Sequence, residues 1–209
     1  MDFYVEYFST RGDEYLEMLF QHLYLCAVTL LLAAVLGAAF GMLTMLSDGV
    51  YRLVTGIFNT LRIIPSLAVL VFLIPVMGVG TKPALVALTF LSVPPVLIQT
   101  SLGLHKTEPF LVESAQAMGM SDRRIFWKVK VPMAVPYFMT GLKTAASEVI
   151  ASATLAAYIG SGGLGVIIYN GISLMKTEYL LIGGVSVALL TLAANALLGW
   201  VQKKVCRWV

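Results

Sequence analysis

The sequence is poor in charged residues. Only 12% of its 209 residues are Asp, Glu, Lys or Arg, whereas 59% are hydrophobic. An ordinary soluble domain carries about 25% charged residues. This deficit excludes a typical soluble globular domain and indicates that lipid is the main solvent of the fold.

Cysteine and histidine are also scarce. Cys26 lies near the start of the first long apolar run and Cys206 follows the last, so five spans would place them on opposite sides of the membrane, which excludes a disulfide. His22 and His105 stand alone at the ends of apolar runs, where we expect interfacial or solvated side chains. We therefore predict no metal site, no catalytic residue and no membrane enzyme, which would need a cluster of His, Asp or Glu near one face.

A nucleotide-binding loop is missing as well. The glycine-rich stretch holds Gly160, Gly162, Gly163 and Gly165, but no Gly-Lys-Ser/Thr follows it, so it does not match a phosphate-binding loop. A tight turn and close helix packing explain these glycines better. No Walker lysine motif occurs elsewhere, so any ATPase that drives this protein must be another polypeptide.

Long hydrophobic runs are what the sequence does contain. A membrane span needs about 20 mostly apolar residues, and five runs hold no charged residue: 23–46, 63–81, 83–104, 149–175 and 179–202. We predict an all-α integral membrane protein, a single transmembrane domain over 1–209 with about five helices, at about 22–46, 51–77, 83–104, 132–158 and 178–202. The residues before the first run are acidic, unlike the basic start of a cleaved signal peptide, so we expect a permanent helix.

Basic residues are distributed unevenly between the two sides of these spans. Nine lie on one side: Arg52, Lys106, Arg123, Arg124, Lys128, Lys130, Lys203, Lys204 and Arg207. Three lie on the other: Arg11, Lys82 and Lys176. Because Lys and Arg are retained in the cytoplasm, we predict an outside N-terminus and a cytoplasmic C-terminus. The net charge of +3 is then a topological signal and not a nucleic-acid patch.

The long polar segment 105–131 is cytoplasmic in this topology. Residues 113–118 have good helix propensity, Gly119 offers a C-cap, and Ser121 offers the N-cap of a second short helix through Trp127. Two interpretations of this segment remain open from composition alone. It is either a docking site for a partner or an amphipathic hairpin that lies on the headgroups with Phe126 and Trp127 inserted.

The spacing of this segment resembles the EAA loop of ABC-transporter importer permeases. The matching residues are Glu113, Ser114 and Ala115, then Gly119 after three residues, then Val129, Lys130, Val131 and Pro132 after nine more. Ser114, Val129 and Val131 are small or apolar replacements that keep the register. In that family the loop forms a coupling helix that inserts into a cleft of the ATPase subunit. The resemblance implies that Glu113 and Ala115 lie at the contact, that Gly119 makes the turn and that Pro132 helps to start the next span.

Two further stretches are similar to the osmoprotectant permeases, which serve glycine betaine, carnitine and choline. They are Ile-Pro-Ser-Leu-Ala at 64–68 and Thr-Leu-Ala-Ala-Tyr-Ile-Gly-Ser-Gly-Gly-Leu-Gly at 154–165. The resemblance implies a type I importer permease fold in a bacterial inner membrane. It also implies a second permease subunit, alike or related, two ATPase subunits that bind ATP and Mg, and an extracytoplasmic substrate-binding protein.

The same resemblance implies that the chain itself binds no cofactor and translocates a quaternary amine by alternating access. A permease for D-methionine or another amino acid is the alternative within the family, because it shares the five-span plan and the Gly-Gly-Leu-Gly run. A secondary transporter is the alternative from another class. Such a transporter would need no ATPase and often shows internal repeats, but no convincing repeat flanks the cytoplasmic loop.

Four residues are candidates for the translocation path: Arg62, Pro65, Ser66 and Glu148. Proline inside a span removes a backbone hydrogen bond, which is tolerated where the backbone is buried in protein or lines a cavity. An intramembrane charge costs at least about 2.5 kcal/mol at a helix centre, so it is a functional candidate. Ordinary kinked packing and a structural partner for each charge, Lys143 included, are the alternatives. Arg62 is near mid-membrane if its span begins near Tyr51 and interfacial if the span begins at Arg62 itself.

Overall fold

The protein is helical throughout the part that the structure describes, residues 2–207 of a computed structural model. The α-helices are α1 (Asp2–Leu43), α2 (Asp48–Leu61), α3 (Ser66–Phe72), α4 (Ile74–Met77), α5 (Thr81–His105), α6 (Pro109–Ala117), α7 (Asp122–Ile125), α8 (Val131–Ala156), α9 (Gly165–Ser173) and α10 (Thr177–Val205). Two 3-10 turns, Thr44–Leu46 and Ala157–Ile159, and a π-helical turn, Phe126–Lys130, complete the regular structure. The predicted all-α class is confirmed.

Within residues 2–207, three helices are long and apolar enough to cross a membrane: Phe3–Leu46, Thr81–His105 and Thr177–Val205. The pair Asp48–Leu61 and Ser66–Met77 makes a fourth if the broken pair counts as one span. The fifth predicted span coincides with α8, whose 26 residues would extend about 39 Å, enough for a hydrocarbon core about 30 Å thick. Lys143, Glu148 and several Ser and Thr residues make α8 less apolar than the other three.

The first helix begins well before the predicted start of the first span. α1 has 42 residues and a local break in helical geometry at Arg11. Its early part carries exposed acidic residues and an aromatic face. On that face Tyr7 is buried, and its ring contacts that of Tyr179 of α10 with centroids 5.6 Å apart. His22, which the sequence places at the interface, is fully buried instead. The glycine-rich turn covers this side chain, since a Cβ on Gly163 would lie 3.1 Å from His22 Nδ1, and this accounts for the difference.

The predicted span 51–77 is not one helix. α2 ends at Leu61, and α3 starts after Pro65, whose extended backbone (ψ 134°) makes it the N-cap of the next segment. Proline disfavours helical geometry in the residue before it, so the chain cannot continue α2 through Ile64. The result is a break across Arg62–Pro65 in the middle of the predicted span.

The chain divides into two compact units, each built from segments that are far apart in sequence. The first contains Ile64–Ser92, Ala146–Asn195 and the N-terminal segment through Leu31; the second contains Leu32–Ile63, Val93–Ala145 and the C-terminal segment from Ala196. In the first unit, a core of apolar side chains from α1, α3, α5 and α8 includes Leu70, Leu88 and Ala153. Neither unit is a contiguous stretch of chain.

Small residues set the close packing inside the second unit. A Cβ on Gly37 would lie 2.6 Å from the Cβ of Val96, and one on Gly41 would lie 2.7 Å from the Cβ of Thr100. This Gly-x-x-x-Gly spacing brings α1 and α5 together at backbone distance, as in many membrane helix pairs. One turn further along, the buried Thr44 and Ser101 hydroxyls share a 2.8 Å hydrogen bond.

Two more glycines let α8 approach α5 in the same unit. A Cβ on Gly103 would lie 2.8 Å from the Cβ of Tyr137, and one on Gly141 would lie 2.8 Å from the carbonyl oxygen of Pro95. Pro94 and Pro95 are buried inside α5, which stays helical through both. The absence of a side chain at Gly141 therefore allows α8 to pack directly on proline-containing backbone, consistent with the expectation that such backbone is buried in protein.

The glycine-rich stretch 160–165 forms a tight turn in the first unit, as predicted. Gly160, Gly162 and Gly163 all have φ near +80°, a conformation that glycine adopts without steric penalty. The Oε1 atom of Gln21 accepts a 3.1 Å hydrogen bond from the Gly163 backbone N–H. A Cβ on Gly165 would overlap the carbonyl oxygen of Thr154. The predicted close helix packing is therefore also confirmed, at Gly165.

We expect Gly41→Leu to destabilise the protein, because its side chain has no space beside Thr100. Overpacking of this kind costs about 1–3 kcal/mol, which for a chain of this length is roughly 2–12 °C in the unfolding midpoint. Gly56→Ala is the matched control, since a Cβ at Gly56 on α2 meets nothing within 4 Å. Scanning fluorimetry of the detergent-solubilised protein should show a loss in the first variant only. Equal midpoints in both variants would contradict the close packing of α1 on α5.

Candidate functional site

The candidate site is the polar segment that follows α5. Its first helix, α6, ends in a Schellman turn: Gly119 N–H donates to Gln116 O at 2.8 Å and Met120 N–H donates to Ala115 O at 3.1 Å. Gly119 has φ +75°, the left-handed geometry that this motif requires at the residue after the cap. The predicted helix and its glycine C-cap are confirmed, although α6 begins earlier, at Pro109.

The residues of the motif on α6 differ in exposure. Glu113 is exposed and Ser114 is half-buried, whereas Ala115 is only 2% exposed. Ala115 packs against its own chain. Of the two residues that the resemblance implies for the partner contact, Glu113 is therefore the one that reaches the surface in this conformation. The small side chain at position 115 allows α6 to pack closely against the rest of the chain.

Exposed apolar side chains flank Glu113 on α6. Phe110 is 71% exposed and Met118 is 75% exposed, and the spacing 110, 114, 118 places them along one side of the helix. We call Phe110, Glu113, Ser114, Ala117 and Met118 the α6 face. The motif did not single out Phe110 or Met118. Apolar residues eight apart around a polar motif are the sequence signal that could have identified them.

The second short helix of the segment does not stop before the next span. Ser121 occupies the N-cap position of α7 without a side-chain cap, and its carbonyl accepts from Arg124 N–H at 2.8 Å. The π-helical turn Phe126–Lys130 follows at once and leads into α8 at Val131. Val131 N–H donates to Phe126 O, five residues back. Helical backbone is therefore continuous from Asp122 to Ala156, and Pro132 lies in its first α-helical turn after the π turn.

Val129 and Val131, the two apolar replacements in the motif, lie half-buried at this junction, as does Pro132. Trp127 is 54% exposed and packs edge-to-face against Phe126 with ring centroids 5.1 Å apart. π-helical turns are rare in proteins, and those that occur are often found at functional sites. The junction joins the segment to α8 without a flexible linker.

The path candidates fall in both units. Arg62 belongs to the second unit, where it caps the C-terminus of α2 and is exposed. Pro65 and Ser66 begin α3, and Glu148 lies half-buried in α8; these three belong to the first unit. Arg62 therefore lies at the break between two helices, and its depth in the membrane stays a prediction.

Residues 2–207 contain no group of three or more His, Cys, Asp or Glu that could hold a metal ion. The charged residues of the candidate segment are solvent-exposed or half-buried. Its chemistry is that of a contact surface, on which the Glu113 carboxylate has the exposed apolar side chains of Phe110 and Met118 on either side along α6.

The fold and this segment define a multi-pass membrane permease. The chain belongs to the family of binding-protein-dependent transport system inner membrane components, whose model matches residues 31–207. It is 37% identical over 199 residues to a carnitine transport permease protein of Listeria monocytogenes, covering 95% of this chain and 91% of that one. It is 35% identical over 201 residues to a choline transport system permease protein of Bacillus subtilis, covering 96% of this chain and 92% of that one.

Solved structures of transporters share the fold. A chain of the MetNI methionine ABC transporter in an inward-facing conformation superposes with a TM-score of 0.82 at 22% identity, over 91% of this chain and 95% of that one. A chain of an amino acid ABC transporter superposes with a TM-score of 0.79 at 18% identity, over 94% and 96% respectively. The predicted importer permease fold is confirmed.

We expect Ala115→Leu to destabilise the protein, because residue 115 is buried and cannot accept three further carbon atoms without displacement of its neighbours. The loss should be about 1–3 kcal/mol. Ala117→Leu, two residues further on the same helix, is the control because Ala117 is exposed. Thermal unfolding of both purified variants measures the difference. If Ala117→Leu is the more damaging change, the orientation of α6 is wrong.

Proposed function

We propose that this chain is the membrane-spanning permease subunit of an ATP-binding-cassette importer for a quaternary-amine compatible solute: glycine betaine, carnitine or choline. The observation that carries the proposal is the helix–glycine–helix segment, which presents Glu113 between exposed Phe110 and Met118 and continues directly into α8. Large apolar side chains exposed beside a polar motif are typical of a surface that a partner covers.

The partner that this surface fits is a separate ATPase subunit, which binds ATP and Mg and hydrolyses the nucleotide. The charge asymmetry supports a cytoplasmic location for the segment, an outside N-terminus and a cytoplasmic C-terminus. Insertion of the same segment into headgroups, with Phe126 and Trp127 inserted and the basic residues facing lipid phosphate, is the alternative. The spacing of the motif favours the partner, because lipid insertion would not require that register.

Coupling proceeds through the continuous helix. When two ATPase subunits close on ATP, the α6 face moves with them, and the hydrogen-bonded turn at Gly119 passes that movement to α7. The continuous α7–π–α8 helix then carries the movement into the membrane. The path changes from inward-facing to outward-facing, and a loaded extracytoplasmic binding protein releases its ligand into it. Hydrolysis resets the cycle. A second permease subunit, identical or related, completes the path.

The helix break at Arg62–Pro65 is the part of the chain that we assign to this path, with Ser66 and Glu148. Irregular backbone at membrane depth is tolerated where it lines a water-filled cavity or is buried in protein. An exposed Arg62 at such a break and a half-buried Glu148 have the character of path-lining charges.

The cargo is inferred from relatives. Proteins 35–37% identical to this chain are named for carnitine, choline and glycine betaine. Methionine is the second candidate, because the methionine transporter shares the fold with a TM-score of 0.82, although at 22% identity.

The proposal is tested by reconstitution of this chain with its ATPase and binding-protein partners in proteoliposomes. We expect ATP-dependent uptake of a radiolabelled quaternary amine, no uptake with a non-hydrolysable ATP analogue, and no uptake without the binding protein. Uptake of methionine alone would promote the second cargo. Solute uptake by this chain without any ATPase would refute the importer and indicate a secondary transporter.

We expect Gly119→Val to uncouple ATP hydrolysis from uptake while the complex still assembles. Nothing lies within 4 Å of a Cβ at Gly119, so the effect arises from the backbone, where φ +75° costs an L-residue roughly 1–3 kcal/mol. Gly119→Asn is the control because asparagine tolerates this geometry. The measurement is solute imported per ATP hydrolysed, which should fall for Val and persist for Asn. Wild-type uptake in the Val variant would argue against coupling through this turn.

A further inference from the structure

Gln202, near the C-terminal end of α10, forms a polar network with α8 in the second unit. Its amide nitrogen Nε2 donates to the backbone oxygen of Pro136 at 3.2 Å and to Thr140 Oγ1 at 3.4 Å. Its amide oxygen Oε1 accepts from Lys143 Nζ at 3.5 Å. The Thr140 hydroxyl also donates to Pro136 O at 2.9 Å. One side chain of α10 thus contacts three successive positions on one side of α8.

The three positions on α8 share a face because they are spaced four and three residues apart. Gly199 lies opposite Lys143: a Cβ there would be 3.8 Å from Nζ, so the ammonium group passes over a position without a side chain to reach Gln202. The Nε2 group of Gln202 makes two hydrogen bonds as a donor, and its Oε1 atom makes one as an acceptor. The network therefore fits the observed register of α8 against α10.

Stability alone does not require this arrangement. Neutral hydrogen bonds of this length contribute modestly to stability, and a lysine within a membrane helix is unfavourable. Two apolar side chains would pack these helices together and would allow them to slide. A polar contact inside a membrane instead selects one arrangement, because every alternative leaves a donor or acceptor without a partner.

The location of the network determines what it can do. Pro136 lies one turn after Val131, where the α7–π–α8 helix leaves the candidate segment. A shift of α8 by one turn, about 5.4 Å, would break all the contacts to Gln202. If the candidate segment displaces α8, the C-terminal end of α10 must therefore move with α8, or the contacts to Gln202 must break.

We propose that Gln202 is a positioning residue that fixes the register of α8 against α10, so that both helices move as one body when the ATPase moves the candidate segment. Lys143 and Thr140 are its partners on α8. This inference rests on the proposed function, since it describes how the motion of the segment is transmitted.

The test uses the reconstituted complex with Gln202→Leu, which keeps the side-chain size and removes all three contacts. We expect uptake to fall at least fivefold while ATP hydrolysis stays within twofold of wild type and the complex remains assembled. Gln202→Glu keeps the acceptor for Lys143 and loses both donors, so its uptake should lie between the two. Unchanged uptake per ATP in Gln202→Leu would overturn the inference, as would a parallel loss of uptake and hydrolysis in an assembled complex.

Thr140→Val decides the matter if Gln202→Leu does not assemble. It removes one partner of the Gln202 amide with almost no change in shape, and we expect uptake per ATP to fall. Thr144→Val is the matched control, because the exposed Thr144 hydroxyl donates within its own helix, to Thr140 O at 3.1 Å. Equal uptake per ATP in the two threonine variants would overturn the inference.

A second measurement needs no cargo and separates this inference from the proposed function. Spin labels are placed at Thr144→Cys and Lys204→Cys, because both positions are exposed. The background carries Cys26→Ala and Cys206→Ser, which removes both native cysteines. We expect the same label separation with and without ATP, and an ATP-dependent change when Gln202→Leu is added. A change of several ångströms in the chain that retains Gln202 would overturn the inference. Failure of the wild-type complex to import any solute, with these distances as expected, would count against the proposed function alone.

Discussion

Close backbone contact between helices is the constraint on which the rest of this structure depends. Lipid chains are as apolar as leucine, so two membrane helices gain little from burying apolar side chains against each other. They must instead approach closely enough for dispersion and polar contacts to act. Gly37 and Gly41 bring α1 to Val96 and Thr100, and Gly141 brings α8 to the Pro95 carbonyl. These contacts hold α5 between α1 and α8 in the second unit.

The same constraint explains where polar side chains occur within these helices. The Thr44 and Ser101 hydroxyls pair with each other at 2.8 Å, and Asn195 donates to Ser147 at 2.8 Å. A buried hydroxyl or amide in lipid needs a partner. Thr44 donates to the Gly41 carbonyl of its own helix at 2.6 Å, and the contact with Ser101 adds a partner on the adjacent helix. Such pairs define the register between helices, whereas the glycines define only the distance. Distance and register together are needed for a helix to transmit a displacement along its axis.

The sequence predicts much of this structure where the signal is local, and less where it depends on neighbours. The turn at Gly119 follows from the position of one glycine after a short helix, and the glycine-rich turn at 160–165 follows in the same way. The early start of α1 was missed because acidic residues before the first apolar run do not resemble a span, although the aromatic residues among them pack on α10. The burial of His22 and of Ala115 depends on which face meets a neighbour, and no single-sequence pattern specifies that.

The sequence also did not predict that the helix is continuous from Asp122 to Ala156. Pro132 indicates a helix start, since its missing N–H is tolerated there, and the sequence accordingly predicts a short helix followed by a new span. The π turn at Phe126–Lys130 provides the other solution: widening the turn before the proline lets the helix continue, with Val131 bonded to Phe126. A break at this point would separate α7 from α8. Continuity instead makes α7, the π turn and α8 one helical element, which α6 joins through the hydrogen-bonded turn at Gly119, so the two short elements before α8 belong to its structure as much as to the loop.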